Sequence, residues 1–347
     1  MKEASLYETV KNDVVRCLLC NHLCAIVPGA TGKCGVRENS NGKLFSLVYD
    51  RLIARNIDPI EKKPLFHFLP GTLSYSIATA GCNFSCLFCQ NSDISQMPSD
   101  RGRISGERIT PEEIVRQARA AGASSISYTY TEPTVYFELA RDTAALASSA
   151  GIKNVFVTNG FMTELCLDEI HPFLDAANVD LKSFRDSFYR NQCGARLEPV
   201  MRSIEKMHRM GVFLEVTTLV IPGLNDSEEE LRELAGFIAG VDPGIPWHVS
   251  RFHPTYRLTS VPSTPVKTVL RAREIGYEAG LRYVYTGNIA HNDGENTLCH
   301  ACGALLVQRL GFRVSDLRVS RSRCPECDAE IPGIWHQSSC SPHGVSN

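Results

Sequence analysis

The chain has 347 residues, of which 43% are hydrophobic and 21% charged, with a formal net charge of −2. This is the composition of a globular protein with a sizeable core, in one large domain with appendages or in about two ordinary ones. It argues against a basic nucleic-acid footprint and against a transmembrane span, because no apolar run of about 18 residues occurs. The opening MKEASLYETVKNDVVRC lacks the apolar core of a signal peptide, so a cytoplasmic protein without membrane or nucleic-acid partners is expected.

Fourteen cysteines in such a setting point to metal or redox chemistry before disulfides. The first four, Cys17, Cys20, Cys24 and Cys34, are spaced C-x2-C-x3-C-x9-C. Gly29, Gly32 and Gly35 let that loop wrap back so that Cys34 closes a four-thiolate site. Thiolates alone do not separate zinc from an auxiliary iron–sulfur cluster. Zinc is the reading adopted, with His22 a packed imidazole rather than a ligand. DPIEKKPLFHFLPG (58–71) follows and is stiffened by three prolines. It reads as a connector that positions the N-terminal metal module over the next domain, a partner surface being the alternative.

SYSIATAG (74–81) is β-rich and runs into the loop GCNFSCLFCQN, where Cys82, Cys86 and Cys89 have the spacing C-x3-C-x2-C. Next comes ITPEEIVRQARAAG, a helix with Thr110 as N-cap, Pro111 at its first position and Gly122 as its stop. Strands follow at SSISYTYTEP, KNVFVTNG, ANVDLKSF, VFLEVTTLVIPG and PWHVSRFHP, with a further one possible at LRYVYTGN. Helices alternate with them over 134–149, near 162–172 and 197–210, in DSEEELRELAGFIAG capped by Asp226 or Ser227, and in TPVKTVLRAREIGYEAG. Such alternation implies parallel βαβ units. The fold class is α/β, a partial (β/α)6 TIM-like barrel with its site at the C-terminal ends of the strands.

Cys299, Cys302, Cys324 and Cys327 form two C-x2-C knuckles around ALLVQRLGFRV, which reads as a β-hairpin turning at Leu310–Gly311. Four soft thiolates in paired knuckles suit a structural zinc ribbon, with a second iron centre as the competing reading. Cys166, Cys193 and Cys340 stand alone and read as small apolar or surface thiols. The domains are therefore 1–70 (cysteine-rich module and connector), 71–292 (barrel) and 293–347 (ribbon and tail).

Three thiolates can each bind one iron of a 4Fe–4S cluster and leave the fourth iron without a protein ligand. Here the sequence resembles the radical S-adenosylmethionine superfamily, whose signature is C-x3-C-x2-C after the first strand. The resemblance implies that S-adenosylmethionine binds the open iron and is split by one electron to a 5′-deoxyadenosyl radical. It places the methionyl amino group near TYTEP, where Tyr130 and Thr131 replace the usual glycines and Glu132 is retained. It places Asn159 of VTNG near the ribose, Asp180 and Lys182 of DLK near the carboxylate end or substrate, and His253 of RFHP towards the adenosyl group. These motifs, with VIPGLND, look like the pyruvate formate-lyase-activase branch. The N-terminal quartet ending GVREN, the connector, YTYTEPT, RYVYTGN and the ribbon ending IPGIW resemble the radical enzyme of the AmmeMemoRadiSam system. That resemblance implies Memo-like and AMMECR-type partners and an electron donor of flavodoxin or ferredoxin type. An activase, a small-molecule radical enzyme and a non-enzymatic iron–sulfur regulator remain as function classes, the last disfavoured by the open-iron spacing.

Overall fold

The computed structural model describes residues 1–289 and 293–335. Cys340, the tail after Trp335 and the expected boundary at 292 lie outside the described residues. Parallel strands dominate: β2 (Leu73–Ala78), β3 (Ser125–Tyr128), β4 (Lys153–Thr158), β5 (Ala176–Asp180), β6 (Phe213–Val220), β7 (Trp247–Arg251) and β8 (Val284–Gly287) lie side by side in chain order. Strand β1 (Ala54–Pro59) pairs antiparallel along β2, from Ala54 opposite Ala78 to Pro59 opposite Leu73. The main sheet thus begins at Ala54, inside the segment expected to precede it.

Strands that follow one another without reversal need crossovers that all step the same way, and right-handed crossovers then place the helices on one face. These are α1 (Pro111–Ala120), α2 (Phe137–Ser149), α3 (Glu164–Ile170), α4 (Glu198–Arg209), α5 (Glu228–Val241) and α6 (Val266–Glu278). Local chemistry sets their starts: Thr110 Oγ1 accepts from Glu113 N at 3.3 Å, and Ser227 Oγ accepts from Glu230 N at 3.3 Å. Close packing fixes α6, where a Cβ on Gly276 would meet Val284 at 2.8 Å and Trp247 at 2.9 Å. Trp247 therefore faces the helices, and alternation turns its neighbour His248 to the opposite face.

The N-terminal module consists of two small antiparallel sheets, Tyr7–Thr9, Val15–Cys17 and Ala25–Ile26 in one, Lys2–Glu3, Arg37–Ser40 and Lys43–Ser46 in the other. It is fastened to α2 by the buried Arg37, which donates to both carboxylate oxygens of Glu138 at 2.9 Å. At the other end, β9 (Leu305–Leu310) and β10 (Arg313–Leu317) form the hairpin. Leu310 pairs with Arg313, so the turn is Gly311–Phe312, one residue later than expected; Gly311 supplies the positive φ of 59°.

The connector hydrogen-bonds to the sheet and to the C-terminal module. Asn178 Nδ2 donates to Pro64 O at 2.7 Å, and Arg309 Nη2 donates to Phe66 O at 2.6 Å. His67 bridges Pro332 O (Nδ1, 2.7 Å) and the Tyr285 hydroxyl (Nε2, 2.5 Å), while its backbone N–H reaches Glu215 Oε1 at 2.7 Å. Phe66 is buried with Tyr285 and the C-terminal module and Phe68 with Val155 and Ala176 of the sheet, which is why an aromatic stretch between prolines ends up inside. No helix among the described residues is long and apolar enough to cross a membrane.

Candidate radical-chemistry site and metal centres

Period-two alternation sends Asp180, Thr217, His248 and Ser250 to the face away from the helices, and these line one cavity of about 780 Å³. The loop after β2 adds Cys82, Cys86 and Cys89, and the ends of β3, β4 and β5 add Tyr130, Thr131, Glu132, Asn159 and Lys182. The cavity lies within the size range of ligand sites.

Glu132 is buried, and its carboxylate is fully engaged. Oε1 accepts from Thr134 N (3.1 Å), Thr134 Oγ1 (2.5 Å) and Thr158 Oγ1 (2.7 Å), and Oε2 accepts from Asn159 N (2.8 Å). It ties the end of β3 to the end of β4. Burial pushes its pKa up, against the pull of these donors. Asn159 in turn donates from Nδ2 to Asn83 Oδ1 at 2.7 Å and lies 3.9 Å from Cys82 Sγ, so its side chain braces the cysteine loop.

Tyr130, standing where the resembling enzymes have glycine, keeps the backbone that glycine would favour, with φ at 61°. For a non-glycine residue this costs about 1–2 kcal/mol. The ring is pinned: its hydroxyl donates to Asp58, Asn56 Nδ2 donates to that hydroxyl at 3.1 Å, and Lys63 Nζ lies 4.5 Å from the ring centroid. Lys63 Nζ also reaches Asp58 at 2.6 Å. Thr131 Oγ1 donates to Thr79 O at 2.9 Å, joining the ends of β2 and β3.

Lys182 Nζ lies 3.0 Å from Asp180 Oδ2. Burial disfavours its ammonium, but the charge of Asp180 and that of Cys86 and Cys193 as thiolates outweigh burial and hold its pKa well above the usual lysine value. A fixed positive charge therefore faces the cavity. The Cys82 pKa is raised as well, but here the proton leaves the group neutral: burial, with Glu132 and Cys86 nearby, keeps its thiol protonated, so metal uptake there releases a proton.

One expected residue is not brought in. His253 is exposed and bonded to Ser263 Oγ at 3.1 Å, outside the cavity lining. Strand β7 ends at Arg251 and Phe252 turns fully inward, which leaves the next side chain outward. The histidine of that strand that does line the cavity is His248, whose Nε2 meets Glu215 Oε2 at 2.6 Å. Alternation counted from Trp247 would have found it. Thr217 Oγ1 also lines the cavity, as a buried polar atom without a protein partner.

All the described cysteines are free. In the C-terminal module Cys299 Sγ and Cys327 Sγ are 3.6 Å apart and Cys302 Sγ and Cys324 Sγ 3.7 Å. Among the described residues these four make the one group of three or more Cys, His, Asp or Glu residues placed to share a metal ion, their ligand atoms all within 4.8 Å of one another. They can hold a single ion. The hairpin also reaches the large cavity, where Gly311 and Phe312 form part of the rim with Glu295.

Comparison with known proteins bears on this geometry. The radical SAM superfamily matches residues 76–235. An uncharacterized protein of Methanocaldococcus jannaschii is 44% identical over 334 residues, covering 95% of this chain and 99% of its own length. The pyruvate formate-lyase-activating enzyme of Clostridium pasteurianum is 24% identical over 169 residues, 46% of this chain and 67% of that one. The crystal structure of Streptococcus suis SuiB bound to S-adenosylmethionine superposes with a TM-score of 0.50 at 16% identity, over 67% of this chain and 53% of that one, a likeness of fold.

Proposed function

We propose, from the premise that the chain belongs to the radical SAM superfamily through its domain at residues 76–235, that it reductively cleaves S-adenosylmethionine and abstracts hydrogen from a substrate. The relation to pyruvate formate-lyase activating enzymes makes an activase-like reaction the leading reading. One observation carries it: Cys82, Cys86 and Cys89 open into the same cavity as Asn159, Asp180 and Lys182. The donor set fits a 4Fe–4S cluster, because three thiols of one loop that line a single large cavity can each take a separate iron. Bound there, the cluster would supply the electron that opens the sulfonium of S-adenosylmethionine to a 5′-deoxyadenosyl radical.

The chain's own residues have distinct tasks in this reading. Lys182, kept charged by Asp180, attracts the cosubstrate carboxylate. The backbone of Tyr130 and Thr131 receives the amino group, and Glu132 acts at one remove by fixing Asn159. Thr217 offers its unpartnered hydroxyl to a polar group in the cavity. The one-directional strand order supports a partial (β/α) barrel, with 1–70 and 293–347 as flanking metal modules. Sulfur separations of 3.6 and 3.7 Å support zinc in the C-terminal one, since Zn–S bonds of about 2.3 Å give a tetrahedral edge of about 3.8 Å. The cysteine and connector motifs support assignment to the AmmeMemoRadiSam system, with Memo-like and AMMECR-type partners and a flavodoxin- or ferredoxin-type donor. Free thiols throughout the described chain suit a reducing cytoplasm. A small-molecule substrate is the second reading, favoured by the polar wall of His248, Ser250 and Thr286 opposite the cysteines.

The test is anaerobic. Reconstituted protein with dithionite should convert S-adenosylmethionine to 5′-deoxyadenosine and methionine. Cys82→Ala, Cys86→Ala and Cys89→Ala should each abolish it, and undiminished product in any of them overturns the assignment.

A further inference from the structure

We infer that the outer face of the central cysteine loop is the docking surface for a small acidic one-electron carrier protein. On the radical reading of Cys82, Cys86 and Cys89, single electrons must reach these thiols, and this face is where they enter. Along the loop Cys82, Phe84, Cys86 and Phe88 line the large cavity, whereas Ser85 and Leu87 do not. Ser85 is exposed and Leu87 half-buried. The loop is thus a partition, with thiols on its inner side and, one residue away, a strip of molecular surface on its outer side. Tunnelling falls off steeply with distance. A donor seated on the strip approaches the thiols closely without entering the cavity that cosubstrate and substrate would fill.

Hydrogen bonds join the strip to a wider surface. Ser85 N and Leu87 N donate to Cys193 O and Gln192 O, both at 2.9 Å, on either side of Cys86. These carbonyls belong to the turn between β5 and α4. Leu87 O accepts from Arg257 N at 3.0 Å, in the segment after β7. Gly194 lies against Ser85, where a Cβ would meet the serine Oγ at 2.6 Å, and Lys33 Nζ donates to Gly194 O at 2.5 Å. Three parts of the chain therefore meet around Ser85, and their bonds to the loop are also bridges for electronic coupling.

A separate observation, charge, selects the partner. These three parts carry Lys33, Arg190, Arg196 and Arg257, all exposed. The acids bound to them are Asp186, shared by Arg190 and Arg196, and Asp100, which accepts from Arg257. Four cations against two carboxylates leave a positive excess here, on a chain whose formal net charge is −2. Such a surface steers an acidic partner towards it, and salt screens the attraction. The exposed or half-buried polar side chains at its centre, Ser85, Asn191 and Gln192, suit the small, short-lived contacts of electron carriers.

The experiment uses the full reconstituted chain and two probes, a reduced flavodoxin and a reduced 2Fe–2S ferredoxin, each of net negative charge. Formation of 5′-deoxyadenosine is compared with either carrier and with dithionite as the reductant. Lys33→Glu, Arg190→Glu and Arg257→Glu together should slow cleavage driven by at least one carrier tenfold or more. Dithionite-driven cleavage should stay within twofold of wild type. Added salt should slow the carrier-driven reaction of wild type and leave that of the triple variant nearly unchanged. Arg119→Glu, a reversal of an exposed charge on α1, should alter neither reaction. Carrier binding, read by fluorescence anisotropy at low salt, needs no turnover and should weaken at least tenfold in the triple variant. Wild-type carrier kinetics or binding in that variant, equal slowing by Arg119→Glu, or a wild type that binds neither carrier overturns the inference. If the triple variant misfolds, the single variants decide on the same readouts. Failure of wild type to cleave with dithionite would count against the radical reading, while the binding measurement still tests the surface.

Discussion

Replacing Glu132 by Gln changes one oxygen for an NH2 and should have an effect out of proportion to its size. Four donors converge on the carboxylate, two of them backbone N–H groups, of Thr134 on Oε1 and of Asn159 on Oε2. The Thr134 and Thr158 hydroxyls can rotate to accept from an amide; the backbone N–H groups cannot. Whichever way the Gln amide is turned, its NH2 therefore faces one buried N–H. The loss is one hydrogen bond to a charged group, about 1.5–3 kcal/mol, together with an orphaned buried donor, about 1–3 kcal/mol. We expect destabilisation of about 3–5 kcal/mol, read by guanidinium denaturation followed through the fluorescence of the two buried tryptophans, Trp247 and Trp335. Because Asn159 N is one of the two donors at risk, cosubstrate binding should weaken while the iron content holds. A variant within about 0.5 kcal/mol of wild type would refute the idea that this carboxylate ties β3 to β4, since changes remote from such features stay within that margin.

Two further outcomes follow from buried histidines. Burial pulls the His67 pKa down to about 4 from its ordinary value near 6.5. The unfolded chain then binds the extra proton first, so this stabilisation is complete above about pH 6.5 and is lost as pH falls towards 4, by about 3 kcal/mol in all. Denaturation midpoints at pH 7 and pH 5 should differ in wild type and converge in His67→Asn; an unchanged difference would rule His67 out as its source. His253→Ala should leave cosubstrate cleavage as in wild type, whereas His248→Ala should slow deuterium transfer from substrate into 5′-deoxyadenosine. The reverse pattern would restore His253 to the site.

The sequence made the repeating units legible because their signals are local. Thr110 and Ser227 cap helices where the spacing of acids and apolar residues predicted them, and each β-rich run became a strand of the parallel sheet. The three cysteine groups were legible for the same reason, as ligand spacing is a property of short segments. What escaped depended on partners far along the chain. Ala54–Pro59 reads as part of the N-terminal module and connector until Leu73–Ala78 is set beside it. The aromatic stretch after it reads as a support for the N-terminal module, whereas its hydrogen bonds run to Tyr285, Arg309 and Pro332, far along the chain. The placing of His253 in the site turns on side-chain parity at the end of a strand, which a one-residue change in the strand's end reverses.

The hairpin tip at Gly311–Phe312 forms part of the cavity rim, yet it is carried by a module that folds around its own four thiols. Arg309, one strand residue away from the tip, is locked to Phe66 and Thr297, so the tip is held from the C-terminal module's side. Mouth and cysteine loop thus come from segments more than two hundred residues apart in the chain. Insertions or substitutions at the tip can reshape what enters while every thiol and every brace around Asn159 stays in place. On the proposed function, a lineage could exchange one substrate for another by editing a few codons near position 311 and leave the cysteine loop as it is.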